Sequence, residues 1–359
     1  MNVKNMYDKH IDAAVYNFAF GDAWGYVTEF KKFEEIQDKQ YPVPSVLKVS
    51  DDTQMGIYTM KTIEILRNSG MNFDNMDFSE THVQDTIRNS FANSYLAFYF
   101  DEDNNRAPGM TCMKALEAYY YSARKTGFEG GSKNNSLGCG TIMRTPWIGL
   151  LPYKRESLVN LSILHSQTTH GDPAGWISSA ILTLMINDFM FNEENTHETT
   201  SNMFSHALDS LHEIKNMNLS LLNGYEKEFN MLYGQLSLYL EHWDEINSVL
   251  PEMNDNFIDL NKIFGEGWIA TETLYNALAA VNFYSEESSE SIYRGVKRLV
   301  YTNGDSDSIA AVGGSLWGVK SGLTPIPVEQ IQQKLEKRYR EELENLVDFI
   351  NHENQTYSI

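Results

Sequence analysis

Apolar residues recur every three or four positions along most of this chain, which is the spacing of one face of an α-helix. Residues 80–100 show this clearly, with Val83, Ile87, Phe91 and Tyr95 at such steps. Alternating stretches rich in Val and Ile, which are typical of β-strands, are nearly absent. The pattern therefore predicts an all-α fold without a sheet.

Three other segments refine this prediction. Residues 11–24 are rich in small and apolar residues, as expected of a central helix. Residues 194–259 alternate polar and apolar positions without chemical motifs, which predicts a peripheral helical region, and residues 329–350 predict a long charged C-terminal helix. Because no internal repeat or low-complexity linker interrupts the chain, we expect residues 1–359 to form one compact single-domain helical bundle.

The composition narrows the classes of ligand. A hydrophobic fraction of 42% and a charged fraction of 21% are ordinary for a globular protein. The net charge of -21 argues against a surface for nucleic acid or anionic membrane, because both are bound through Lys and Arg. An anionic ligand would therefore have to be held by local devices, such as a metal ion, backbone N–H groups or helix N-termini.

The cysteine content and the apolar segments bear on the cellular compartment. The two cysteines, Cys112 and Cys139, suit a reducing compartment and argue against a disulfide framework. The first ten residues lack the apolar core of a signal peptide, and the apolar run 174–191 is short for a membrane span and predicts a buried core helix. We expect a soluble cytoplasmic protein without a membrane partner. The oligomeric state is left open, with a monomer as the expectation.

Two clusters of oxygen-bearing side chains stand out from this background. One is Asp51-Asp52-Thr53 and the other is Asp305-Ser306-Asp307-Ser308, and each lies where a loop precedes a helical pattern. A single Asp before a helix is usually an N-cap, but that explanation does not cover two adjacent ones. Carboxylates this close repel one another unless a cation or proton neutralises them. Together the clusters predict a site for two hard divalent ions such as Mg²⁺.

The second cluster has alternatives that fail on the sequence. An EF-hand beginning at Asn303 would need Glu at its twelfth position, where Gly314 stands. A phosphatase-type Asp-x-Asp would follow a parallel strand in a βαβ pattern, which is missing here. Gly313 and Gly314 in the following helix cost about 1 kcal/mol each relative to Ala, which suggests close helix packing that presses this cluster against the first.

Three further segments complete an ordered set of motifs. They are residues 21–30, residues 135–144 and Thr169-His170. With the two acidic clusters, they resemble the ADP-ribosylglycohydrolase family, the type that includes dinitrogenase reductase-activating glycohydrolases and ADP-ribosyl-acceptor hydrolases. Each short motif alone is weak evidence, but their order and spacing, from about residue 11 to residue 322, make the resemblance specific. It implies an all-helical fold whose binuclear Mg²⁺ centre cleaves ADP-ribose from an acceptor.

The resemblance also implies roles for particular residues. Glu29 would lie beside the metals and either act as general base or gate the site, and Asp22 would be structural support. The expected catalytic residues are Glu29, Asp52 and Asp305. The expected metal ligands are Ser50, Asp51, Asp52, Asp305, Asp307 and Ser308.

The remaining candidates concern the substrate. By the same resemblance, a Gly-containing loop would hold a diphosphate with its backbone N–H groups, aided by the next helix N-terminus. Cys139 in this loop has no visible activating partner and is expected to be a packing residue. His170 is either a substrate contact or a structural histidine, and Trp268 either stacks on adenine or its ribose or is buried in the core. The substrate-binding set is Asn135, Ser136, Leu137, Gly138, Cys139, Gly140, His170 and Trp268.

We therefore expect a Mg²⁺-dependent hydrolase of the bond between ADP-ribose and an acceptor, with Mn²⁺ as an alternative ion. The partner would be an ADP-ribosylated protein or small molecule, and no motif specifies the linkage. Two other hypotheses stay open at this point. One is a catalytically silent ADP-ribose-binding or structural relative, and the other is a metal-dependent hydrolase of another phosphorylated nucleotide or ADP-ribosyl metabolite.

Overall fold

The computed structural model describes residues 3–121, 133–192, 202–250 and 259–357. Within these ranges the chain forms α-helices and short 3₁₀ helices, and bridge-type β pairing is limited to Leu47 with Leu335 and Gly138 with Ile269. The described residues contain no sheet, which confirms the all-α prediction. Their buried apolar side chains form a hydrophobic core that extends from Ile11 to Ile350.

The helices are numbered here in chain order. They are α1 (Val3–Gly25), α2 (Phe33–Lys39), α3 (Asp51–Asn68), α4 (Thr81–Tyr99), α5 (Met110–Tyr121), α6 (Arg155–Gln167), α7 (Pro173–Phe191), α8 (Met203–Asn216), α9 (Glu226–Glu241), α10 (Trp243–Ser248), α11 (Asn261–Phe264), α12 (Ala270–Phe283), α13 (Ser289–Val300), α14 (Ser306–Ser321), α15 (Val328–Lys334) and α16 (Lys337–Tyr357). The main 3₁₀ helices are Cys139–Arg144 and Pro146–Leu150.

Helices α1 and α14 pack more closely than any other pair of described helices, and the register between them positions the site. Each crossing point places a glycine of one helix against a backbone carbonyl of the other, so that an added Cβ would clash with that oxygen. The pairs repeat every four residues in an antiparallel sense: Ala13 with Gly318, Asn17 with Gly314, Gly21 with Ala310, and Gly25 with Ser306. This stripe of close backbone contacts brings the C-terminal end of α1 onto the N-terminal end of α14. Gly314 lies in a close helix contact as expected, but it packs against Asn17 of α1, whereas the sequence suggested packing towards the Asp51-Asp52 cluster.

Helix α7 is the most apolar of the described helices. By length and composition it could cross a membrane, but 89% of its apolar window is buried inside the protein. It packs against α6, α8 and the 3₁₀ helix Pro146–Leu150. The prediction of a buried core helix over residues 174–191 is confirmed.

The predicted peripheral region is described only in part, because residues 194–201 and 251–258 lie outside the described ranges. Helix α8 packs against α7, and α9 packs against α8 in turn. Met231, Tyr233 and Leu238 on α9 are about half exposed. The described part of this region therefore stands one layer further from the centre than α7.

The long C-terminal helix expected over residues 329–350 is divided in the structure. Helix α15 ends at Lys334, and Leu335 adopts an extended conformation with φ -65° and ψ 145° before α16 begins at Lys337. The Leu47 N–H donates to the Lys334 carbonyl at 2.8 Å, and the Leu335 side chain is buried. The interruption is thus produced by contact with the loop before α3, since no proline or glycine stands at this point.

Candidate active site

The C-terminal end of α1 carries Glu29 towards α14. After Gly25 the chain continues in a tight turn, in which the Glu29 N–H donates to the Gly25 carbonyl at 2.9 Å. The Thr28 hydroxyl lies 2.8 Å from the Val300 carbonyl and 3.1 Å from the Ser306 hydroxyl. These bonds fasten the turn to the start of α14, and Glu29 is left 8% exposed.

Asp305 and Asp307 stand at the start of α14. Asp305 is the N-cap residue, and its N–H donates to the Glu266 carbonyl at 2.9 Å. The Asp307 carboxylate accepts a hydrogen bond from the Ser308 N–H at 3.0 Å. One oxygen each from Glu29, Asp305 and Asp307 lie within 4.8 Å of one another. Three carboxylates from two distant parts of the chain thus converge, and Glu29 lies within direct reach of the two aspartates.

Asp51 and Asp52 begin α3, behind Ser50 as N-cap. The Ser50 hydroxyl accepts from the Asp52 N–H at 3.2 Å. The fully buried Asp22 carboxylate accepts from the Ser50 N–H at 2.9 Å and the Thr53 N–H at 3.1 Å, which is the supporting role expected for it. Ser50 therefore caps the helix and does not line the cavity described below.

The electrostatics of this group favour a bound cation. Burial first, and then repulsion by Asp305 and Asp51, raise the pKa of Glu29 to about 9. Burial likewise raises the pKa of Asp51 to about 8 and raises the pKa values of Asp52, Asp305 and Asp307.

The same group contains oxygens that lack partners. Among the described residues, Glu29 Oε2 and Asp52 Oδ2 are buried without any hydrogen-bond donor. Buried polar atoms are rarely left unpaired in folded proteins. Clustered carboxylates with unsatisfied oxygens fit a hard metal ion, which supplies the missing positive charge and coordinates oxygen.

A cavity of about 270 Å³ opens above the carboxylates. It gathers most of the residues predicted from the sequence. They are Glu29, Asp51, Asp52, Gly138, Cys139, Gly140, His170, Trp268, Asp305, Asp307 and Ser308. The rest of the predicted loop lies outside the lining, namely Asn135, Ser136 and Leu137.

The Gly-containing loop is held by its own hydrogen bonds. The Ser136 N–H donates to Asn134 Oδ1 at 2.9 Å, the Gly138 N–H to Ser136 Oγ at 3.2 Å and the Cys139 N–H to the Trp268 carbonyl at 3.0 Å. Three of the five N–H groups from residue 136 to residue 140 are therefore engaged within the protein, and at most two remain for a diphosphate. The cradle expected from this loop must depend largely on other donors.

Cys139 is held as a neutral thiol. Burial first, and then Asp305 and Asp52, raise its pKa well above the ordinary value. A thiol in such surroundings is a poor nucleophile, because the thiolate is the reactive form. This supports the expectation that Cys139 does not carry the chemistry.

Sequence reasoning missed the aromatic partner of Trp268. Phe30 stacks on Trp268 with ring centroids 5.4 Å apart and an interplanar angle of 19°. Phe30 is 69% exposed and Trp268 36%, so Trp268 is not a buried core residue. The one available signal was an aromatic residue directly after Glu29. The pair stands at the cavity, joining the Glu29 turn to the loop that supports Cys139.

Residues 107–112 were also missed, although Ala107, Gly109, Met110 and Cys112 line the cavity. The Gly109 N–H donates to Asp51 Oδ2 at 3.1 Å, which orients that carboxylate. No motif marks this segment, since its contribution arises from the tertiary placement of the loop before α5.

Residues 4–358 match the ADP-ribosylglycohydrolase family. The chain belongs to this family. It is 24% identical over 373 aligned residues to ADP-ribosylhydrolase ARH1 of Dictyostelium discoideum, with 91% of each chain covered. A solved structure described as an ADP-ribosylglycohydrolase-related protein complex covers 97% of this chain and 99% of its own, with a TM-score of 0.59 and 18% identity, and shows the same fold.

Membership confirms the resemblance drawn from the five motifs. Membership makes this protein an enzyme of the ADP-ribosyl hydrolase class, which cleaves a glycosidic bond. The hypothesis of a purely structural relative is accordingly set aside.

Proposed function

We propose that this protein is a Mg²⁺-dependent hydrolase that cleaves the bond between the anomeric carbon of ADP-ribose and an acceptor group. The convergence of Glu29, Asp305 and Asp307 beneath the cavity carries the proposal. Their buried oxygens form the kind of donor set that a hard divalent ion requires. The acceptor is a side chain of an ADP-ribosylated protein or part of a small molecule.

The residues that would hold two ions are Asp51, Asp52, Asp305, Asp307 and Ser308, with Glu29 adjacent. When bound, the ions would orient the sugar through its hydroxyl groups and polarise it, which are recognised uses of a metal pair. Mg²⁺ suits an all-oxygen set, and Mn²⁺ shares the preference for such ligands.

Glu29 is the proposed general base. Among the described residues no donor pairs with its Oε2, and Glu29 lines the cavity. With bound cations to keep its carboxyl group ionised despite the raised pKa, Glu29 would be able to take a proton from an attacking water. The acceptor must leave protonated, as in other glycosidic cleavages. Asp52 and Asp305 are proposed to hold the ions and the sugar in place during this step.

The size of the cavity suggests how the ligand lies. About 270 Å³ is near the lower end for small-molecule pockets, so it would enclose the ribose and part of the diphosphate. The adenine would then lie near the mouth, where Phe30 and Trp268 present exposed aromatic faces. Stacking between aromatic rings is favourable there.

A hydrolysis panel tests the function. ADP-ribose linked to arginine, to serine, through an acyl group and to nucleic acid is incubated with Mg²⁺, with chelator, and with Mg²⁺ or Mn²⁺ restored. We expect turnover of at least one linkage that chelator abolishes and metal restores. Binding of ADP-ribose without turnover of any linkage would contradict the proposal and support a silent binder. Turnover unaffected by chelator would contradict the metal assignment.

The matched substitutions Glu29→Gln and Glu34→Gln separate the base from general charge effects. Glu29→Gln should lower turnover by roughly 10²–10⁴, with a much smaller change in calorimetric affinity for ADP-ribose. Glu34 is exposed on α2, and its substitution should leave both unchanged. Near-normal turnover of Glu29→Gln would move the base role to an Asp of the clusters.

A further inference from the structure

Arg144 is a buried cation beneath the substrate loop. It ends the 3₁₀ helix Cys139–Arg144 and is 1% exposed. Among the described residues its hydrogen-bond partners are uncharged: its guanidinium donates to the His165 carbonyl at 2.9 Å and to the Thr169 hydroxyl at 2.9 Å. Its Cζ lies 4.5 Å from the centre of the Tyr95 ring. Burying a cation without a carboxylate partner is costly, so a specific role is indicated.

The hydrogen bonds around Arg144 fix the direction of the next proton. An arginine can only donate, so the Thr169 oxygen accepts from Arg144 and its single proton must go elsewhere. The ring nitrogen Nδ1 of His170 lies 2.8 Å from that oxygen. The Cys112 sulfur is also within reach of the Thr169 hydroxyl, but sulfur is a much weaker acceptor than an imidazole nitrogen. The Thr169 hydroxyl therefore donates to His170 Nδ1.

His165 follows the same logic on the other side of Arg144. The Arg144 Nε lies 3.2 Å from His165 Nδ1 and donates to it. The His165 Nε2 then donates to the Thr145 hydroxyl at 2.8 Å, which itself donates to the Thr141 carbonyl. Arg144 thus sets the proton position on two neutral imidazoles, directly for His165 and through Thr169 for His170.

The Nε2 side of the His170 ring lies between Gly138 and Gly140 at the cavity, where neither residue has a side chain to cover it. A Cβ on Gly138 would be 2.9 Å from His170 Nε2, and a Cβ on Gly140 would be 2.7 Å from its Cε1. The Trp176 indole N–H donates to the His170 carbonyl at 2.8 Å and fixes the backbone. Burial, and then the charge of Arg144, lower the pKa of His170 to about 3, so the ring is neutral at physiological pH.

We propose that Arg144 is a positioning residue that acts through Thr169 to hold His170 as its Nε2–H tautomer, so that His170 donates a hydrogen bond to an oxygen of the ADP-ribosyl group. This supplies one donor that the internally bonded substrate loop does not. The identity of the ligand rests on the proposed function, whereas the tautomer is a property of the free protein. The two parts can therefore fail separately.

The tautomer is measured by ¹⁵N NMR of the histidine side chains in the ligand-free protein. Wild type should show two well-separated imidazole ¹⁵N resonances for His170, with the proton on Nε2. Thr169→Ser keeps the hydroxyl and should preserve this signature, whereas Thr169→Val should bring the two resonances closer together as both tautomers are populated. A wild-type proton on Nδ1, or an unchanged signature in Thr169→Val, would overturn the relay.

Thr168→Val is the matched control. The Thr168 hydroxyl lies 3.4 Å from the Arg144 guanidinium and donates to the His165 carbonyl at 2.6 Å. Within the described part of the chain it makes no hydrogen bond to the His170 ring. It should leave the His170 resonances unchanged. If Thr169→Val proves unstable, Arg144→Lys keeps the charge and removes the donating fork, and it should give the same convergence of resonances. A shift in Thr168→Val equal to that in Thr169→Val would indicate a merely structural effect.

Calorimetry with ADP-ribose tests the second part. Thr169→Val should raise the Kd about five- to tenfold, the scale of one hydrogen bond, and should raise KM more than it lowers kcat. The same substitution in a His170→Ala background should raise the Kd no further, because the effect passes through His170. An equal loss in that background would overturn the role of the relay. Failure of wild type to bind ADP-ribose would refute the proposed function while leaving the NMR result to judge the tautomer.

Discussion

The acidic site consists of two halves that are held in place by different kinds of interaction. The packed half comprises Glu29, Asp305 and Asp307, whose segments are brought together by the glycine stripe between α1 and α14. The anchored half comprises Asp51 and Asp52, which are held by hydrogen bonds from segments that ion pairs fasten in turn. The packed half depends on glycines, whose lack of side chains lets two helix backbones touch. The anchored half depends on polar side chains that form hydrogen bonds.

The anchored half is supported over a long network. Arg106 donates to the Val49 carbonyl, just before α3, and to Glu336, each at 3.0 Å. Arg338 bridges Asp101 and Asp103 at 2.7 and 3.0 Å. These bonds fasten the loop that ends at Gly109, the residue whose N–H orients Asp51.

The difference has physical consequences. A steric register between two backbones is lost when one methyl group is added, and the loss does not depend on pH or salt. Ion pairs that are partly exposed weaken with salt and with protonation of the carboxylate. The two halves should therefore respond to different perturbations.

The largest expected effect is a break in the packed half. Gly314→Ala places a Cβ against the Asn17 carbonyl, and the free energy of unfolding should fall by about 3 kcal/mol as the helices move apart. Gly234→Ala is the control, because a Cβ there meets nothing within 4 Å, and it should stabilise the protein by up to about 1 kcal/mol through helix propensity. Urea titrations measure both. Equal behaviour of the two variants would refute the close register.

Metal addition tests which half contributes most to ion binding. Mg²⁺ at a hundredfold excess over its Kd should raise the free energy of unfolding by about 2.7 kcal/mol, and chelator should reverse this. Asp307→Asn should remove most of the increase, since its oxygen belongs to the three-carboxylate group. Asp51→Asn should remove less, because one Asp51 oxygen already accepts from Gly109. Asp209→Asn, on the exposed side of α8, should leave the Mg²⁺-dependent increase in unfolding free energy unchanged.

Asp22→Asn should loosen the anchored half. Both Asp22 oxygens accept hydrogen bonds from backbone N–H groups at the start of α3. In the Asn variant, the side-chain NH₂ group would replace one of these oxygens and would face an N–H group that it cannot accept from. We expect a loss of about 2 kcal/mol in unfolding free energy and a weaker Mg²⁺ response. Asp77, an exposed carboxylate that accepts from the Ser79 N–H, is the control and its amide variant should change little. An unchanged Mg²⁺ response in Asp22→Asn would separate this residue from the metal site.

The smallest expected effect distinguishes the halves by pH. The hydrogen bond from Arg338 holds the pKa of Asp101 below its ordinary value, so the pair stabilises the fold above the unfolded pKa of about 4 and loses this as pH falls. Arg338 is 39% exposed, which limits the effect of Asp101→Asn to about 1 kcal/mol at pH 7. The deficit should shrink at pH 3 and in high salt. The deficit of Gly314→Ala should persist under both conditions.

Several features were predictable because they depend on neighbours in the chain. The periodic run in residues 80–100 became α4, within one residue at each end. The loop-to-helix positions of Asp51 and Asp305 were also correct, since each precedes a run of helical spacing that can be recognised locally. The glycines at positions 313 and 314 correctly indicated a close helix contact.

Other features depended on contacts between distant segments. The interruption at Leu335 has no breaker in the sequence and follows from pairing with Leu47. The substrate loop was expected to offer its N–H groups, but Asn134 and Trp268 supply acceptors that engage two of them. The stacking of Phe30 on Trp268 likewise joins residues more than two hundred positions apart.

The sequence by itself determined the helical class, the family and the identity of the carboxylates, because periodicity, capping and chemical type are properties of short segments. Only the tertiary structure decided that Glu29 joins Asp305 and Asp307, and that Arg144 reaches His170 through Thr169. The reason is physical: burial and the direction of each hydrogen bond depend on which side chains the packed helices bring within about 3 Å of one another.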